Sequence, residues 1–190
     1  MQTDEELVAR AAGGDDQALE ELIARYLREV YSFAFRLVGQ QEEAEDVAQE
    51  TFVKVWRNLK KYNPRFSKFK TWLMRIARNT CVDHLRKQKA VPFSRFEGEE
   101  GENALTDEMR SDEPRPDELM ALAQDAQMLE RALAQLTPPH REVLLLRYQE
   151  GLSFAEVSAV TGTSQNTVKS RHRRALHHLR AILRIQHHVD

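Results

Sequence analysis

The sequence predicts an all-α protein of two small helical domains joined by an acidic, flexible linker. Three observations carry this. Apolar residues recur at three- and four-residue steps along nearly the whole chain, with no alternating run that would make a strand. Capping residues and glycine or proline stops bracket each periodic stretch. Residues 94–118 then lose the apolar pattern and become strongly acidic. A chain of 190 residues has room for one domain, or for two small ones with a linker.

Thr3 with Glu6 forms a capping-box pattern that opens a first short helix, and Gly13-Gly14 ends it. From about Gln17 to Val38 a second helix carries Leu19, Leu22 or Ile23, Tyr26, Val30, Phe33 and Leu37, with Gly39 as its stop. A third runs from Glu42 to about Tyr62 on Ala44, Val47, Ala48, Phe52, Val55 and Leu59, until Asn63-Pro64 breaks it. A fourth runs from about Thr71 to Lys89. Together they have enough apolar surface for one bundle over residues 1–93. The linker, 94–118, has two prolines, dense acid and few large apolar residues, too few to offset the entropy of ordering it. Extended, it would reach on the order of 80 Å. In 119–190, Leu119, Leu122, Ala126, Leu129, Leu133 and Leu136 make one stripe, Thr137-Pro138 starts a helix reaching Tyr148, and Gly151 ends it. Ser153 with Glu156 is a second capping box, Thr161-Gly162-Thr163 a turn, and Ser164 the cap of a last helix from Gln165 to about Ile185.

Composition narrows the classes. Apolar runs are too short to cross a bilayer, so no direct membrane insertion is expected. MQTDEELVAR lacks the cationic start and apolar centre of a signal peptide. Cys81 is the one cysteine, which excludes an internal disulfide and points to a reducing, cytoplasmic setting. No nucleophile–base set or phosphate-binding glycine loop is visible, so neither catalysis, a small-molecule substrate nor a cofactor is expected. Adjacent histidines on a helix point about 100° apart, so His177-His178 and His187-His188 are read as charge near a polyanion and no metal site is expected.

Net charge is only −2, but it is segregated. Residues 1–56 carry 13 acids and 5 bases, 57–90 carry 11 bases and Asp83, 97–118 carry 10 acids and 2 bases, and 164–190 carry 6 bases and Asp190. Two basic blocks on patterned helices suggest two places that touch nucleic acid. The C-terminal block, LSFAEVSAVTGTSQNTVKSRHRRALHHLR, has the spacing of a helix-turn-helix: Gly162 permits the turn, Ser158 lets the helices approach, and Val157 and Val168 pin them. Its second helix would expose Gln165, Asn166, Thr167, Lys169, Ser170, Arg171, Arg173 and Arg174 to a major groove.

The N-terminal block places Arg75, Arg78, Arg86 and Lys89 on one helical face, flanked by Asn79 and Asp83. Phe66 and Phe69 precede it in a loop with Lys68 and Lys70. Rings beside cations suit unstacked bases, and Asn79 with the loop backbone could read an extruded base edge. Trp72, at the start of the helix, fits either the core or the nucleic acid.

AEDVAQETFVKVWRNLKKY, FKTWLMRIARNTCVDHLRK and LTPPHREVLLLRYQEGLSFAEVSAVTGTSQNTVKSRHRRAL each resemble, in order, a segment of the extracytoplasmic-function (group 4) sigma factors of bacterial RNA polymerase. The resemblance implies that 1–93 is sigma region 2 and 119–190 sigma region 4. It implies an alternative sigma factor that binds core polymerase, through the β′ clamp helices and the β subunit, and directs initiation at −35 and −10 promoter elements. Asp46, Gln49 and Glu50 match polar contacts to the clamp helices. Phe69, Trp72 and Asn79 match positions near the unpaired strand, and Arg75, Arg78 and Arg86 would follow phosphates. Lys169, Ser170, Arg173 and Arg174 match the −35 reader, and the linker resembles the segment that threads the RNA-exit path. An anti-sigma factor covering the polymerase-binding faces is a further implied partner. The run Arg171-His172-Arg173-Arg174 is more cationic than many relatives carry there. A stand-alone helix-turn-helix regulator is the alternative, since 137–180 also resemble such domains, but residues 1–93 lack the β/α alternation of a receiver.

Overall fold

The computed structural model describes residues 2–88, 115–123 and 126–187, and all regular structure among them is helical. Helix α1 spans Asp4–Ala12, α2 Asp16–Val38, α3 Gln41–Asn58 with a 3₁₀ turn at Leu59–Lys61, and α4 Phe69–Gln88. Then come α5 (Pro116–Leu122), α6 (Ala126–Gln135), α7 (Pro138–Leu144, running into a π-helical turn at Leu145–Gln149), α8 (Phe154–Thr161) and α9 (Gln165–His187). The chain divides into two compact units, the first holding α1–α4 and the second α5–α7, the start of α8, and α9.

In the first unit α2 is the hub, with α1, α3 and α4 packed on it. Its apolar stripe buries Leu22, Val30, Phe33, Ala34 and Leu37 against Val47 and Val55 of α3 and Leu73, Met74, Ala77 and Cys81 of α4. Each large side chain so buried contributes roughly 1.5–3 kcal/mol. The expected caps form. Glu6 N donates to Thr3 Oγ1 (3.2 Å) and Thr3 N to Glu6 Oε2 (2.9 Å). Gly39 ends α2 at φ 90°, a left-handed conformation that a side chain resists. Arg25 and Tyr26 on α2 both hydrogen-bond Asp4, which lashes α1 down.

In the second unit α9 is the spine against which α5, α6 and α7 pack. Leu119, Met128, Ala132, Leu136, Val143 and Leu146 are buried with Leu176, Leu179 and Leu183 of α9. Arg141 of α7 reaches back to the end of α6. Its guanidinium donates to the carbonyls of Leu133 (2.9 Å), Ala134 (2.5 Å) and Leu136 (3.1 Å), and so caps the C-terminal end of α6.

Three boundaries differ from the sequence expectation. The stripe from Leu119 to Leu136 is two helices, because Ala123 is extended (ψ 102°). Helix α5 begins inside the expected linker: Pro116 takes the first helical position and Glu118 accepts from Arg115 N at 3.3 Å. The remainder of the linker lies outside the described residues. Helix α4 begins at Phe69, two residues earlier than expected, which changes what Phe69 does.

Candidate nucleic-acid interface

In the first unit the candidate surface starts at the turn before α4. Asn63 Oδ1 accepts from Arg65 N (3.0 Å), Asn63 O accepts from Phe66 N (3.1 Å), and Tyr62 Oη donates to Ser67 O (3.0 Å). These bonds close a tight turn whose tip is Phe66, 87% exposed. Phe69 behaves otherwise. It is 2% exposed and its ring lies edge-on to Tyr26 (5.6 Å between centroids) and Tyr62 (5.7 Å), so it is a core residue and not a loop aromatic. This corrects its placement among the DNA-facing residues. Once α4 starts at Phe69, helical phase points that ring at α2.

Trp72 is half-buried. It packs on Tyr62 (5.4 Å) and Phe69 (5.8 Å) while remaining at the edge of the outward strip. That strip runs Lys68, Trp72, Arg75, Asn79, Asp83, Arg86 at steps of three and four. Arg75, Asn79 and Arg86 are exposed; Arg78 is half-buried and its Nη1 lies 3.4 Å from Asn79 Oδ1. Asp83 pairs with Arg86 (3.3 Å), and Lys70 pairs with Glu29 of α2 (2.9 Å), so Lys70 is engaged within the bundle.

On α3, Asp46, Gln49 and Glu50 are exposed and share a face. Lys54 bridges Glu50 at 2.9 Å, and that bond holds the Glu50 carboxyl below its usual range. Two residues missed from sequence extend the face: Val53, 42% exposed, and Trp56, 61% exposed. Both fall outside the buried phase of Val47, Thr51 and Val55, and that phase mismatch was the available signal.

Helix α8, the turn and α9 form the expected helix-turn-helix. Ser153 and Glu156 make the capping box (2.9 and 3.2 Å), Ser158 Oγ donates to Thr163 O across the turn (2.6 Å), and Gly162 takes φ 72°. Ser164 Oγ accepts from Thr167 N (3.1 Å) to cap α9. Val157 and Val168 are buried. Gln165, Asn166 and Lys169 are exposed, and Thr167, Ser170, Arg173 and Arg174 are half-buried. Arg174 folds back, its guanidinium 3.4 Å from Ser170 O and Oγ.

Arg171 is a correction. It is 3% exposed, on the inward phase of Val168, His172 and Ala175, so it is not part of the outward basic face. His172 is also buried. Its Nε2 is 2.8 Å from Tyr148 Oη, and Phe154 meets its ring edge-on at 5.1 Å. His178 meets His140 edge-on at 4.9 Å. Burial, then the His178, Arg174 and Arg171 charges, push His140 down to about 4. The side chains of His187 and His188 lie outside the described residues.

Comparison with known proteins relates both units to one family. The Sigma-70 region 2 family matches residues 22–91 and the Sigma-70 region 4 family residues 126–179. The ECF sigma factor SigW of Bacillus subtilis is 30% identical over 173 residues, spanning 90% of this chain and 91% of that protein. The sigma-H factor of Pseudomonas aeruginosa is 34% identical over 172 residues, spanning 90% and 89%. SigE of Mycolicibacterium smegmatis is 33% identical over 175 residues, covering 90% of this chain but 65% of that longer protein. Among solved structures, CnrH in complex with the cytosolic domain of CnrY matches with a TM-score of 0.69 and 28% identity, over 96% of this chain and 97% of that one. RpoE of Bartonella quintana, in complex with the anti-sigma factor NepR, matches at 0.63 and 26%, over 87% and 96%. A chain with a helical bundle bearing a cationic, aromatic strip, a helix-turn-helix with a basic outer face, and such relatives along nearly its whole length belongs to the ECF sigma factors of RNA polymerase.

Proposed function

We propose that this chain is a promoter-specificity subunit whose α4 strip captures the unpaired −10 strand while α9 lies on −35 duplex. The observation that carries this is the strip itself. An 87% exposed Phe66, a half-buried Trp72, Arg75 and Asn79 offer a ring, a second ring edge, a cation and an amide in one line. Rings stack on unpaired bases of any sequence, an amide reads a base edge, and guanidiniums hold phosphates. Binding energy drives strand opening in this reading. Phe66, Lys68, Trp72, Arg75, Arg78, Asn79, Asp83 and Arg86 serve the −10 element; Phe69 and Lys70 support them from the bundle. Gln165, Asn166, Thr167, Lys169, Ser170, Arg173 and Arg174 serve the −35 element, with Arg171 holding α9 from inside. Few base contacts are needed where DNA shape contributes.

Asp46, Gln49 and Glu50, with Val53 and Trp56, form the proposed seat of core polymerase. An exposed indole and valine inside a polar rim make a surface suited to a partner helix. CnrH and RpoE were solved with CnrY and an anti-sigma factor, which supports an anti-sigma factor as a partner here, competing for the same faces. Residues 1–93 and 115–190 are the two working domains, and the acidic stretch between them is their tether. Transcription of genomic DNA by purified core polymerase tests the reading. Added protein should create new promoter-specific start sites, and their absence sinks it.

A further inference from the structure

Between the α3 face and the α4 strip lies a polar bridge centred on Lys54. Lys54 Nζ sits 2.9 Å from Glu50 Oε1 on the outer side and 3.1 Å from Thr80 Oγ1 on the inner side. Thr80 is 1% exposed and donates its own hydroxyl hydrogen to Ile76 O (2.9 Å), one turn back along α4, so toward Lys54 it can only accept. The lysine ammonium thus lies between an exposed carboxylate and a buried hydroxyl adjacent in sequence to Asn79. A second link, His84 Nε2 to Glu43 Oε2 (3.3 Å), joins the same two helices one turn further on. The chain Glu50–Lys54–Thr80 is therefore a short hydrogen-bonded path from the proposed polymerase seat to the α4 residue next to the proposed base reader.

We infer that Lys54 is a positioning residue that couples polymerase engagement at Glu50 to the set of α4 at Asn79. The inference rests on the function proposed above. In the free chain the ammonium is shared between Glu50 and Thr80. A cationic or amide donor from polymerase that takes over Glu50 releases the ammonium to Thr80 alone, and a partly shielded charge with one acceptor fewer is held more firmly by the buried hydroxyl that remains. Helix α4 is then held more firmly against α3 at the level of Asn79, when promoter DNA arrives. Lys54 touches neither DNA nor the reacting strand in this scheme; it acts through Thr80.

Holoenzyme assembled from full-length chain and core polymerase tests this on a promoter found by the genomic transcription experiment, used both as duplex and with its −10 region pre-melted by mismatch. Lys54→Met keeps the stem and removes the ammonium, and Thr80→Val removes the acceptor without changing any charge. Both are expected to lower open-complex formation on duplex by about tenfold and on the pre-melted template by less than about twofold, with core affinity changed less than about threefold. Thr80→Ser should restore activity. Combined with Asn79→Ala, either change should be clearly less than additive, as expected for groups on one path. Equal losses on both templates, failure of Thr80→Ser to rescue, or additive double variants would overturn the coupling. Wild-type protein that yields no start sites at all overturns the reading beneath it, and the coupling with it.

Discussion

At the scale of single residues, burial decides which aromatic and which arginine can meet DNA. Phe66 and Phe69 are three apart, and one is 87% exposed while the other is 2% exposed. Phe69→Ala should therefore cost about 3–5 kcal/mol of stability, as large core truncations do. Phe66→Ala should stay within about 0.5 kcal/mol yet slow open-complex formation. Thermal melts paired with an opening assay separate the two. Equal destabilisation by both would refute the assignment. Asn79→Ala should impair opening of duplex promoter far more than binding to a pre-melted one; equal loss on both would remove Asn79 from base reading. Arg171 and Lys169 make a similar pair. Arg171→Ala truncates a long side chain that is 3% exposed and should destabilise the second unit by about 1–3 kcal/mol, whereas Lys169→Ala should leave the melt unchanged and reduce the salt slope of −35 binding by about 1. A sequence cannot place Arg171 inward without the phase of α9, and four cationic or imidazole side chains in a row look alike as text. The phase was nevertheless available from Val168 and Ala175, both of which are buried.

Among the elements, α7 against α9 carries a built-in acid sensitivity. His140, 5% exposed, faces His178 edge-on with Arg174 and Arg171 close enough to oppose its protonation, and its folded value of about 4 lies below the ordinary 6.5. The folded state favours neutral imidazole while the unfolded chain takes up the proton near 6.5. Stability from this group is thus whole above pH 6.5 and lost as pH falls towards 4, by roughly 3 kcal/mol when fully developed. Denaturant titrations of the protein from pH 7 to 4.5 should record that decline, and His140→Gln should flatten it; an unchanged slope in the variant would exclude His140 as the source. Elements themselves were legible wherever a cap or stop marked them: Thr3, Gly39, Ser153, Gly162 and Ser164 all act as read. The break at Ala123 was not, because no glycine or proline stands there. The start of α5 at Pro116 carried a legible signal in Arg-Pro-Asp-Glu, masked by the acidity around it.

For the whole molecule, charge segregation was the most informative line of the sequence. It placed two cationic helices in two units and left an acidic face on α3, and family membership gives that division its sense. What composition could not supply was the apolar content of the α3 face, because Val53 and Trp56 look like core residues until the helix is phased. Trp56 has one more consequence. The chain has two tryptophans: Trp56, 61% exposed on α3, and Trp72, half-buried on α4. Each proposed interface of the first unit thus carries its own intrinsic fluorophore. Phenylalanine at one position isolates the emission of the other, so docking of a protein on α3 and arrival of DNA on α4 become two separately timed optical signals in an otherwise unlabelled chain.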